Sequence, residues 1–237
     1  NFKKILKKIS IGDIYYRQIR LREGSTFKEI LNLLNKNPSL SCDEEQLNQK
    51  RIADDLGIPY LYLEGLFYPD TYNFKKGDSC FSILQRSNKN YNLLLEELWE
   101  SRNIGLPYKD PYEALILASL IEKEGIEKKQ IAGVFIRRLH LKMKLQSDPT
   151  IIFALGDNYR GDIKRSHIKM KHPYNTYYIK GLPPSPIGLV SRSSIEAALN
   201  PTEGSFLYFV SKGDGTHFFS STLEEHNRAV QKYQLNK

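Results

Sequence analysis

The sequence predicts an α+β fold: a mostly helical domain carrying small antiparallel sheets or hairpins. Three observations carry that expectation. Apolar residues recur at helical spacing over most of the chain, and several of these runs open on capping residues. Two strand-like runs, near 15–22 and 206–220, do not alternate with helices as βαβ units would. The second is interrupted by Gly213-Asp214-Gly215, which reads as a hairpin turn.

Taken in order, Phe2, Ile5, Leu6 and Ile9 share one face of a short helix over 2–9 that Gly12 ends. Tyr15 to Arg22 alternates as a strand. Thr26 and Glu29 have capping-box spacing ahead of Ile30, Leu31, Leu33 and Leu34, and Asn37-Pro38 closes that helix. Asp43, Glu44 and Glu45 lead into another helix through Ile52. The segment LEGLFYPDTYNF, 63–74, holds four aromatics around Pro69-Asp70. Its turn residues argue for a loop, and its aromatics for a loop packed over the core or walling a carbohydrate cleft.

Asp78 or Ser79 opens a helix through Trp99. Asp110 and Pro111, a cap followed by proline at the first helical position, start the helix that carries LILASLIEKEG and ends at Gly125. Residues 128–144 form the next helix, with Ile131, Val134, Phe135 and Leu139 on its apolar face. Asp148 caps a short apolar segment, Thr150 to Leu155, and 156–165 reads as an exposed loop. YNTYYIKGLPPSP follows, polar and aromatic, then proline-rich. Ser193 and Glu196 have capping-box spacing for Ile195 to Leu199. A hairpin of 206–210 and 217–220 precedes a last helix, capped by Thr222 and Glu225 and running through Tyr233.

The composition bounds the function. The chain has 237 residues, 40% of them hydrophobic and 26% charged, so it can bury a core without covalent staples. Cys42 and Cys80 have no metal spacing and are expected to be free buried thiols, a bridge requiring an oxidising compartment. No segment approaches the ~18 consecutive apolar residues of a membrane span, and no signal peptide is legible. Asn1 is not a natural start, so a longer parent is expected. The net charge of +8 gathers at Lys3, Lys4, Lys7 and Lys8, and at Arg137, Arg138, Lys142 and Lys144. No nucleic-acid motif accompanies these groups; a solvated helix face or an anionic polymer accounts for them, and no nucleic-acid partner is expected.

No phosphate loop, dinucleotide fingerprint, HExxH or GxSxG occurs, and the five histidines lack ligand spacing, so neither a cofactor nor a metal is expected. Carboxylate chemistry remains. Glu122 and Glu124 end an apolar helix, where burial would raise a carboxyl pKa and keep a proton available for a leaving glycosidic oxygen. Solvated glutamates ending a helix are the plainer explanation. At ~100° per residue, positions two apart lie roughly opposite, so the two are not an acid–nucleophile pair. Both sides of the helix are apolar, and periodicity does not choose between them.

LILASLIEKEG, VFIRRLHLKMKLQSDPTIIFALG, YNTYYIKGLPPSPIG, NPTEGSFLYFV and GDGTHFFSSTLEEHNRAV, with LREGSTFKEILNLL and LEGLFYPDTYNF ahead of them, resemble the endolytic murein transglycosylases of the MltG (YceG-like) family. The resemblance covers nearly the whole chain in order. It implies cleavage of the β-1,4 bond between N-acetylmuramic acid and N-acetylglucosamine inside glycan strands, leaving a 1,6-anhydro end. The sugar's own C6 hydroxyl attacks, so one carboxyl suffices.

The wider lytic transglycosylases carry Glu-Ser at the end of an apolar helix. That pattern places the acid at Glu124, with Gly125 where the small hydroxyl would be, and leaves Glu122 in support. Gln146, Asp148, Tyr174, Asn175 and Thr176 are the polar groups expected around substrate, with His217 behind them; for Asp148 before Pro149, capping is an equally good role. The resemblance also implies a LysM-like glycan-binding module, of which residues 1–22 would be the tail. The expected division is then 1–75 for the N-terminal region and 76–237 for the catalytic domain. A single-pass anchor in the cytoplasmic membrane, outside this chain, and penicillin-binding proteins of the elongation machinery complete what it implies. A lysozyme-like muramidase and a silent glycan-binding scaffold are the competing readings.

Overall fold

The computed structural model describes residues 15–235. The helix expected over 2–9, and most of the expected LysM-like tail, lie outside the described residues.

Strand β1 (Arg17–Arg20) pairs antiparallel with β2 (Thr71–Phe74), Arg17 opposite Phe74 and Arg20 opposite Thr71. The first strand was legible; the second lies inside the segment read as a loop. Tyr72 and Phe74 point inward and Thr71 and Asn73 outward, a period of two compressed into four residues. Helix α1 (Phe27–Asn35) carries the expected capping box, with Thr26 Oγ accepting from Glu29 N and Glu29 accepting from Thr26 N. Helix α2 (Gln49–Leu56) runs past Ile52 until Gly57 ends it with φ at 64°.

Cys42 and Cys80 form a disulfide, with Cα atoms 5.0 Å apart, and this corrects the expectation of free thiols. A parallel bridge between Ser41 and Ser79 sets the two segments side by side and brings the cysteines into reach. Helix α3 (Cys80–Glu100) starts there, capped by Ser79.

Helix α4 (Pro111–Glu124) is the centre of the molecule. Asp110 Oδ1 accepts from Glu113 N at its start. Every residue from Ala114 to Ile121 is buried, as an all-round apolar helix requires. Helices α3, α5 (Lys128–His140), α6 (Asp148–Leu155) and α8 (Arg192–Leu199) pack on it. Helix α5 stops before Lys144, because the chain reverses through Lys142 and Gln146 at φ 53° and 54°. Ser147, not Asp148, takes the cap position of α6, and Ser191, not Ser193, caps α8. A short helix α7 (Arg165–Ile168) follows the loop expected after residue 156.

The hairpin of β3 (Tyr208–Ser211) and β4 (His217–Ser220) forms as expected, Ser211 opposite His217. Helix α9 (Leu223–Val230) carries the Thr222–Glu225 capping box, packs on that hairpin and passes into a single wide turn, Gln231–Leu235. One buried cluster runs from Ile19 through Phe74 and Cys80 to Leu199, across residue 75. The N-terminal part is tied to the rest by backbone bonds from Gly24 N to Leu189 O and from Leu189 N to Ser25 O, both 2.8 Å. No described helix is long and apolar enough to cross a membrane.

Candidate active site

Glu124 is the last residue of α4 and opens onto a cleft of about 710 Å³. The cleft lies between the end of α4, the turn before α6, and the β3–β4 hairpin with α9. Gln146, Asp148 and His217 line it with Glu124, as do Arg138, Tyr177 and His226. The end of a buried helix thus delivers one carboxyl to a polar hollow.

Ser147 Oγ donates to Glu124 Oε1 at 2.5 Å. Ser147 is fully buried and cannot wander, because its N–H donates to Thr176 Oγ1 at 2.9 Å and its carbonyl accepts from Thr150 Oγ1 at 2.6 Å. Burial pushes the Glu124 carboxyl up to about 7; the Ser147 bond opposes this, Asp148 adds to it and the Arg138 guanidinium opposes it. A carboxyl so placed is largely protonated just below neutral pH and can act as an acid.

Asp148 Oδ1 accepts from the Tyr177 hydroxyl at 2.6 Å. Burial, then the hydrogen bond to Asp148 and its charge, holds the Tyr177 phenol well above its ordinary value, so the proton stays on the tyrosine. Arg138 is buried, donating Nε to Leu207 O at 2.7 Å and Nη1 to Leu145 O at 2.8 Å. Its guanidinium lies 5.2 Å from the Tyr208 ring centre, and this clamp joins α5, the α5–α6 turn and the hairpin.

Glu122 turns away from this cleft. It accepts from Ser191 N at 3.0 Å, from the Ser191 hydroxyl, from Ser194 Oγ at 2.7 Å and from Lys128 Nζ at 3.1 Å. Burial works to raise its pKa, yet the Ser191 and Ser194 hydrogen bonds with Lys128 hold it below the ordinary carboxylate value. It fastens the end of α4 to the start of α8 as an anion, a structural position.

Tyr174, Asn175 and Thr176 do not line this cleft. The Tyr174 hydroxyl meets Ser185 Oγ at 2.6 Å. Asn175 is fully buried and donates to the carbonyls of Ile168 and Met170 at 3.0 and 2.8 Å, closing the loop after α7. Thr176 holds Ser147. The three were expected around substrate, and none is among the residues lining this cleft.

Sequence reasoning missed Ser147, Arg138 and Tyr177. Arg138 had a signal, since it continues the buried series Ile131, Val134 and Phe135 at helical spacing. Ser147 had none, because its partner lies on another helix 23 residues away.

A helix buried all round thus presents, in an open polar cleft, a carboxyl raised toward neutral pH. The sequence comparisons agree on the lineage. The model of the YceG-like family matches residues 1–232, and the chain belongs to that family. It is 36% identical to the endolytic murein transglycosylase of Bacillus subtilis (strain 168), the match covering 98% of this chain and 70% of that protein. It is 33% identical to the endolytic murein transglycosylase of Streptococcus pneumoniae (strain R6) over 77% of this chain, which spans only 34% of that protein. Its fold matches the 2.6 Å crystal structure of a yceG-like protein from Listeria monocytogenes with a TM-score of 0.75 and 31% identity, over 97% of this chain and 81% of that one.

Proposed function

We propose that this chain is an endolytic murein transglycosylase that cleaves the N-acetylmuramic acid–β-1,4–N-acetylglucosamine bond within glycan strands and leaves a 1,6-anhydromuramoyl end. The observation that carries this reading is Glu124: a single carboxyl, buried enough to hold its proton near neutrality, at the wall of a cleft.

Protonated Glu124 gives its proton to the glycosidic oxygen as the bond to the muramic C1 breaks. The C6 hydroxyl of the same sugar attacks C1, and its proton passes to the Glu124 carboxylate. Acid and base are one group, and no water is consumed. Intramolecular attack replaces a water-activating carboxylate, an advantage of up to about 7–11 kcal/mol when the geometry is right. Asp148, which accepts from Tyr177, is the second carboxyl group beside the anomeric carbon. That bond also engages the carboxylate a lysozyme-like mechanism would use on water, which favours the transglycosylase over the hydrolase. A silent scaffold would have no need of a proton-holding carboxyl in its binding cleft.

This reading puts the chain on the extracytoplasmic face of the cytoplasmic membrane, held by an anchor outside these residues, beside the penicillin-binding proteins of elongation. Digestion in ¹⁸O-water tests the chemistry. A transglycosylase releases new muramoyl ends without the label; ends carrying ¹⁸O would establish hydrolysis instead.

A further inference from the structure

His217 is the one cleft-lining group whose surroundings are built around it more elaborately than a packing role needs. It is 8% exposed. Glu127, at the start of α5, accepts from the His217 backbone N–H at 2.6 Å and from Nδ1 at 2.9 Å through the same oxygen. A carboxylate only accepts, so Nδ1 carries a proton and the lone pair of the neutral ring is on Nε2. Phe209 stands edge-on to the ring at 5.3 Å and 88°.

Gly125 completes the seat. Its φ of 162° is extended backbone open to any residue, so its smallness is not required by conformation. A Cβ there would lie 2.7 Å from His217 Cε1. The residue after the acid is therefore glycine because the imidazole lies against it. Nε2 has no hydrogen-bond partner among the described residues, and the ring lines the cleft beside Glu124.

We infer that His217, oriented by Glu127, contacts the glycan directly, its Nε2 accepting a hydrogen bond from a hydroxyl or acetamido N–H of the sugar next to Glu124. Glu127 is the positioning residue that fixes the tautomer. The inference rests on the proposed transglycosylase reading and adds a substrate contact to it. The other titratable and charged groups facing the cleft are Glu124, Asp148, Arg138, His226, Tyr177 and Tyr208. Burial, then Arg138, holds His226 below its ordinary value, so it ionises only at lower pH.

The test is kcat and KM, measured separately on soluble, uncrosslinked murein glycan strands. His217→Ala should lower kcat/KM about tenfold, mainly through KM, as loss of one good hydrogen bond implies. His217→Gln keeps an acceptor at that position and should recover most of the loss in KM. Glu127→Leu releases the Nδ1–H and the ring orientation it fixes, so KM should rise severalfold while kcat changes little. An unchanged KM in Glu127→Leu overturns the inference, as does a His217→Gln enzyme no better than His217→Ala, or full activity in His217→Ala. Failure of the underlying reading looks different: Glu124→Gln would then cleave normally.

Discussion

Ser147 Oγ donates a 2.5 Å hydrogen bond to Glu124 Oε1, supplying from the turn before α6 the hydroxyl that Gly125 does not carry. The bond favours the ionised carboxyl and offsets part of the burial that raises it. Removing it leaves the acid harder to ionise and less firmly aimed. Ser147→Ala should move the alkaline limb of the pH–rate profile up by about one unit, the equivalent of one charge-assisted bond. It should also lower kcat severalfold at pH 6. A limb that stays in place would show that the bond does not reach the proton.

Gly125→Ala tests the seat of His217. The added methyl meets Cε1 at 2.7 Å and must push the imidazole or the end of α4 aside. Because the backbone there is extended, the fold should survive with a loss of about 1–3 kcal/mol, while cleavage falls more than tenfold. Thermal unfolding and initial rates on the same preparation separate the two effects.

Glu124 and Glu64 both have carboxyls raised to about 7, and burial is the first cause in each. A group whose pKa is raised on folding stabilises fully below its unfolded value, and that contribution is lost as pH rises through its folded value. Stability should therefore fall between about pH 4.5 and pH 7. Glu124→Gln should melt above the wild type at pH 8 and close to it at pH 4. Scanning calorimetry at the two pH values checks the sign; equal shifts at both would remove the link to ionisation.

The Glu122 clamp makes the opposite prediction. Its carboxyl is held below the ordinary value, so its contribution is present above the unfolded pKa and lost as pH falls through the folded one. Lys128→Met strips a partner from a mostly buried anion and should cost about 2–3 kcal/mol at pH 7. The folded enzyme should still cleave, because the clamp faces away from the cleft. Denaturant midpoints and rates per folded molecule test both halves.

Features that depend on neighbours in the chain were legible: the capping boxes at Thr26–Glu29 and Thr222–Glu225, the Asp110–Pro111 start, and the hairpin after Val210. The opposed facing of Glu122 and Glu124 was legible too, from helical geometry alone. Features that depend on a distant partner were not. Strand β2 needs β1 to exist as a strand, and four residues are too few to announce it. Ser147 becomes significant only when α6 packs against the end of α4, and sequence alone does not separate a buried polar residue such as Asn175 from one that lines a cleft, because the two have the same composition. Cys42 and Cys80 are joined by the Ser41–Ser79 bridge, a tertiary fact with no local trace.

Glu124 alone is proposed as the acid and base of a non-hydrolytic cleavage. Mass spectrometry of purified murein strands digested with the wild type and with Glu124→Gln tests it most directly. New 1,6-anhydromuramoyl ends with the wild type, and none with the variant, are the predicted result. Undiminished anhydro ends with Glu124→Gln, or reducing ends with the wild type, would contradict it.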